Sequence, residues 1–147
     1  MDKLRLFSVD DPNLDPALVL TPEAKRELKK QYQEHLDSSL LRPVDGKRLM
    51  EFVCRHLSKR EQAAMIDTYN AASRRADAVE FMTGYETFVS HVEEIVNGPE
   101  IRTADRRNGR LTDEWADESG LPIALMVEIG SLILSKAIFT EEQRKNL

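Results

Sequence analysis

Residues 120–139 read GLPIALMVEIGSLILSKAIF, a helix-length run that is apolar nearly all the way round. It stands out in a chain of 147 residues of which 32% are charged. A membrane span needs about 20 predominantly apolar residues, whereas this run carries Pro122 near its start, Glu128 in its middle and Lys136 near its end. It reads as a helix covered by protein, with no membrane partner expected. Ile123, Met126, Val127, Ile133, Leu134 and Ile138 form one stripe, and Leu125, Ile129 and Leu132 lie largely outside it. One domain face can bury the first set; the second set then needs another surface. Gly130, Ser131 and Ser135 permit close approach of a second helix. Two outcomes follow: the helix is a central core element, or it is a surface shared with a second copy of the chain or a client helix.

Upstream, Thr112 is placed to cap a short helical turn TDEWAD that carries the only tryptophan, Trp115, before Gly120 and Pro122 start the long helix. The preceding RTADRRNGR holds Arg102, Arg106, Arg107 and Arg110, the one candidate basic patch. It contains no aromatic residue for base stacking, and a net charge of -5 repels phosphate backbones, so it reads as a solvated loop and no nucleic-acid partner is expected.

Further back, the apolar spacing of AVEFMTGYETFVSHVEEIV predicts a helix with Val79, Met82, Phe88, Val89, Val92 and Val96 inward, stopped by Asn97-Gly98-Pro99. Ser58 with Glu61 forms a capping-box pattern that opens another helix, with Gln62, Met65, Ile66, Tyr69 and Ala72 on its inner face. Before it, LLRPVDGKRLMEFVCRHLS reads as a hairpin turning at Asp45-Gly46, with Met50, Phe52, Cys54 and His56 on one side of its second strand and Pro43 keeping its first strand short. The N-terminal stretch has a strand-like KLRLFSV, a turn-rich DDPNLDP and a helix capped by Thr21, with Pro22 at its first position and Ala24, Leu28, Tyr32 and Leu36 on one face.

The expected architecture is one α+β, mainly α domain over residues 1–147: a short N-terminal β element with a hairpin packed on three or four helices. Its parts are an N-terminal extension (1–40), the hairpin (41–58), helices (59–97), the basic loop (98–111) and a C-terminal helical part (112–147). A chain of this size buries roughly two-thirds of its unfolded surface without staples. The single Cys54 forms no internal bridge, and MDKLRLFSVDD has neither an apolar core nor a small-residue cleavage site, so the cytoplasm is the expected location.

Chemistry finds little footing. Cys54 and His56 share one side of a strand and His35 and His91 could approach them, yet tight zinc-ligand spacings are missing and neither metal nor other cofactor is expected. Glu93-Glu94 and Glu141-Glu142 are consecutive on a helix and point apart, which does not favour acid-base work. No phosphate-binding glycine loop, dinucleotide fingerprint or nucleophile elbow occurs. A non-enzymatic protein is expected.

The series EFVCRHLSKREQAAMI, VSHVEEIVN, GRLTDEWADESGLP and the closing helix with EEQRKN resembles the small tail assembly chaperones of long-tailed bacteriophages, over about residues 41–146. The resemblance implies a protein that binds hydrophobic helical segments of a tape measure-type protein in the bacterial host cytoplasm while the tail is built. It implies that Leu57, Ser58 and Glu61 form the strand-to-helix joint, and that Trp115 and Pro122 mark the entry to the last helix. Residues 1–40 depart from the pattern, which leaves a structural or completion subunit retained in the virion as the alternative and a metal-dependent or enzymatic regulator as the third. The partner-binding residues expected on this reading are Trp115, Leu125, Met126, Ile129, Leu132 and Ile133, with self-association through the same helix.

Overall fold

The computed structural model describes residues 3–64 and 78–145, and the chain is α+β, mainly helical, with a small antiparallel sheet. Its elements are β1 (Leu4–Leu6), α1 (Pro22–His35), β2 (Glu51–Cys54), α2 (described over 59–64), α3 (Ala78–His91), β3 (Val92–Val96), the two-residue strands β4 (Arg106–Arg107) and β5 (Arg110–Leu111), α4 (Asp113–Glu118) and α5 (Ile123–Lys145). Met65, Ile66, Tyr69 and Ala72, and the side chains of Val79 and Ile138, lie outside the described residues.

Where a helix start depends on a local hydrogen bond, sequence and structure agree. The Thr21 hydroxyl accepts from the Ala24 amide at 3.0 Å with Pro22 behind it. Ser58 and Glu61 complete their capping box, the Ser58 amide donating to Glu61 Oε1 (3.0 Å) and the Glu61 amide to Ser58 Oγ (3.2 Å). Thr112 Oγ1 accepts from the Trp115 amide at 3.1 Å.

Strand pairing departs from expectation in three places. Asp45-Gly46 does turn, with Gly46 at φ 78° and the Lys47 amide donating to Val44 O, but the residues before it form no strand of a hairpin. Ser38–Leu40 is a 3-10 turn, and Pro43, lacking an amide proton, makes only an isolated bridge to Leu14. β2 pairs instead with β1 on one side and β3 on the other, in the order β1-β2-β3.

That pairing also explains the second departure. The expected helix through Val96 ends at His91, and VEEIV continues as β3, because β-branched residues beside an unpaired β2 edge gain ladder hydrogen bonds there. The register shifts at Val53/Cys54, where Glu94 and Val92 face successive β2 residues and Glu93 is the extra one. Third, the supposed loop around Asn108-Gly109 is a tight hairpin, both residues having positive φ (56° and 75°) as a two-residue turn between right-twisted strands requires.

The core is one cluster to which nearly every element contributes, from Leu6 and Val9 through Tyr32, Phe52 and Phe88 to Leu125, Ile129 and Ile133. Phe52 and Phe88 meet edge-to-face at 5.8 Å between ring centroids. The tightest joint is between α3 and α5, where a Cβ added at Gly130 would stand 1.8 Å from the Gly84 carbonyl oxygen. The close approach read from Gly130 is therefore used by a helix of the same chain. Gly130→Ala cannot be accommodated without separating the two backbones, and it is expected to cost about 3 kcal/mol in chemical denaturation; the exposed Gly46 turn has open space around it but a positive φ, so Gly46→Ala should cost only about 1 kcal/mol.

Candidate functional site

All six expected partner-binding residues are interior. Leu125 and Ile129 are 0% exposed, Leu132 and Ile133 1%, Met126 3% and Trp115 6%. The structure brings them together in the chain's own core, so of the two outcomes read for this helix, core element or shared surface, these six residues take the first. The reason is that α3 and the N-terminal segment reach the sides that a single packing face would have left bare. Among the described residues of the supposed inner stripe, Ile123 is the exposed one, at 58%. The Trp115 indole Nε1 donates to Glu100 O at 3.0 Å, so the ring is an anchor between α4 and the turn after β3.

Glu128, the carboxylate in the middle of the apolar run, is only 2% exposed. Ser8 Oγ donates to its Oε2, and the Val9 amide donates to its Oε1 at 3.2 Å. Burial pushes its carboxyl above the ordinary value, against the pull of those two donors and of Lys29, while Asp10 adds to the rise. Two more buried polar groups fasten the same segment. Tyr32 Oη accepts from the Phe7 amide at 2.8 Å, and burial pushes its hydroxyl up to about 12. Asp11 accepts from the Asn13 amide (2.8 Å) and the Met50 amide (2.7 Å).

A second polar cluster lies where β2, α2 and α3 converge. Arg55 grips Glu61 with both terminal nitrogens, at 2.8 and 3.1 Å, and its Nε donates to Ser90 O. The Arg55 hydrogen bonds, helped by the Ser58 amide, bring the Glu61 carboxyl down to about 2. His91 is 3% exposed, its Nδ1 lies 2.8 Å from Thr87 O and its Nε2 2.8 Å from Glu61 Oε2. Burial lowers its affinity for a proton, and Arg55 works in the same direction while Thr87 O and Glu61 oppose it.

The remaining chemical candidates do not converge. Cys54 is fully buried, and burial beside Glu93 pushes its thiol far up, which makes it a packing residue rather than a nucleophile. His56 is exposed while His91 is buried, and among the described residues no group of three His, Cys, Asp or Glu side chains is arranged to hold a metal. Among the described residues no helix is long and apolar enough to cross a membrane.

The arginine cluster is mostly committed internally. Arg110 holds Glu86 at 2.8 and 3.0 Å and Asp113 at 3.1 Å, Arg106 Nη2 donates to Val92 O and Glu93 O, and Arg102 pairs with Asp105. Tyr85 Oη donates to Asp113, so β5, α3 and α4 are tied at one corner. A shallow cleft of about 300 Å³ lies between Arg55, Ser90, Glu93, Arg106 and Gly109, but both of its arginines already hold protein oxygens.

Among the described residues the exposed large apolar side chains are scattered, with Leu20 and Val44 in connections, Val96 on β3 and Ile123 at the start of α5, except for one adjacent pair. Phe81 and Met82, neighbours on α3, are each 59% exposed, and both precede Gly84, where α3 meets α5. Sequence periodicity placed Met82 in the core and gave Phe81 no role. No local signal separates this pair from Phe88 and Val89, adjacent residues of the same helix that are both fully buried; the difference lies in what packs against each turn. No protein family, curated protein or solved structure matches this chain.

Two outcomes test the buried groups. Ile129→Asp would place an unpaired carboxylate in the core at a cost of about 4 kcal/mol or more, and it is expected to abolish the cooperative unfolding transition and the native circular dichroism. The two glutamates should act oppositely on stability. The contribution of Glu61, whose folded value is about 2 against 4.5, is complete above pH 4.5 and fades as pH falls; Glu128, raised above 4.5, favours the fold most below that pH and less as pH rises. In denaturation curves, Glu128→Gln should therefore gain on the wild type as pH increases from 4.5, and Glu61→Gln should lose least at the acid end.

Proposed function

We propose that the chain is a non-catalytic, partner-binding protein of the phage tail assembly chaperone type, shielding hydrophobic helical segments of a tape measure-type protein while the tail is assembled. The resemblance of residues 41–146 supplies the class of partner. The observation that supports a binding role is the exposed pair Phe81 and Met82 on α3. Leaving two large apolar side chains in water forgoes about 1.5–3 kcal/mol each, a cost that a partner's apolar helix would relieve. Methionine suits variable clients, because its unbranched thioether adapts to different surfaces.

The proposed surface therefore moves from α5 to α3. The α5 residues support it from behind, through the glycine contact that holds α3 in place. Nothing in this role calls for a nucleotide or a metal.

Co-expression with a tape measure-type protein provides the test. The wild type should keep the client soluble and co-purify with it. The double variant Phe81→Asp, Met82→Asp should fold, with a melting temperature within a few degrees of the wild type, and should lose the client. Retained client binding by the folded double variant would overturn the α3 surface. Mass spectrometry of purified virions addresses the role itself, since an assembly chaperone is absent from the finished particle and a structural subunit is present in it.

A further inference from the structure

The cluster at the end of α3 contains an imidazole whose two nitrogens both face acceptors. Thr87 O can only accept, so the proton of a neutral His91 sits on Nδ1. Nε2 then presents a lone pair, buried and without a hydrogen-bond partner, although it lies 2.8 Å from a Glu61 carboxylate oxygen. Two unshared electron pairs at that separation repel. Glu61 cannot resolve the conflict by taking up the proton, because both of its oxygens are gripped by Arg55 and one also accepts from the Ser58 amide. The only group left to change is His91.

We propose that His91 and Glu61 form a proton-operated latch that fastens the start of α2 to the end of α3. A proton taken from solvent onto Nε2 converts the repulsive contact into an imidazolium-carboxylate hydrogen bond, with no other bond made or broken. When the proton leaves, the contact opens, and among the described residues Glu61 remains held by Arg55 and by its own helix cap. Among the described residues the charged groups facing the ring are Glu61 from α2 and Arg55 from the segment after β2. The first stabilises the imidazolium and the second opposes it, and burial sides with Arg55. Closure raises the proton affinity of the ring by bringing Glu61 near, so protonation must favour closure in return.

The latch is independent of any client. Its position is informative, however, because α3 also carries Phe81 and Met82. The latch therefore sets how firmly α2 is held against the helix that bears the exposed pair.

Nuclear magnetic resonance of the full chain tests it, by following the His91 ring and the amide exchange of residues 62–64 between about pH 5 and about pH 8. The ring should titrate with a midpoint below the ordinary 6.5. Over the same interval, acidification should raise the protection of residues 62–64 about tenfold relative to the β2 amides, after correction for the intrinsic exchange rate. His91→Gln should remove that pH dependence. If His91→Gln fails to fold, Glu61→Gln serves, because glutamine at this position still accepts from the Ser58 amide while losing the charge. It should move the His91 midpoint lower still. A ring that stays in one state, protection that does not change with pH in the wild type, a pH dependence that survives His91→Gln, or an unmoved midpoint in Glu61→Gln would each overturn the latch.

Discussion

The contact between Gly84 and Gly130 sets the distance between α3 and α5, and most of the interior is arranged around that distance. Helices bearing ordinary side chains pack with their axes 8–10 Å apart; a backbone oxygen where a Cβ would otherwise sit requires a closer approach. At that separation Leu125, Ile129 and Leu132 are covered without large side chains at the crossing itself. The apolar circumference of α5 over residues 125–133 goes with being enclosed there, by α3 on one side and by the N-terminal segment on another.

Enclosure creates a second requirement, because the N-terminal segment has a backbone that must be satisfied when it is laid over an apolar helix. Glu128 and Tyr32 meet it by accepting from the Val9 and Phe7 amides, and Asp11, itself in that segment, accepts in turn from the Met50 amide before β2. Each is a polar group whose burial would be costly alone and is offset by a partner distant in sequence. Glu128 is thereby explained as a fastening point for the chain start rather than an interruption of an apolar run.

With Leu125, Ile129, Leu132 and Ile133 of α5 covered in this way, the surface proposed for a partner lies on α3. Phe81 and Met82 are on the same helix that contributes Gly84 to the core and His91 to the polar cluster, so α3 faces the interior, the solvent and α2 at once. A change in how α2 is held would be transmitted to the exposed pair through one short helix. The binding proposed at that pair and the protonation proposed at His91 are separable experimentally, since they rest on different residues.

What the sequence determined by itself was whatever depends on neighbours in the chain. The caps at Thr21, Ser58 with Glu61, and Thr112, the strand at Glu51–Cys54 and the mainly helical α+β class all follow from interactions spanning a few residues. The partner of a strand is not such a property. Asp45-Gly46 and Asn108-Gly109 look alike locally, yet only the second closes a hairpin, because β2 finds its neighbours at β1 and β3 instead. VEEIV left its helix for the same reason. The face of α5 that is covered was equally undecidable, since a helix apolar on every side carries no sign of which side meets protein. Tertiary structure decided it by supplying the covering elements, and burial is a relation between two surfaces of which the sequence shows only one at a time.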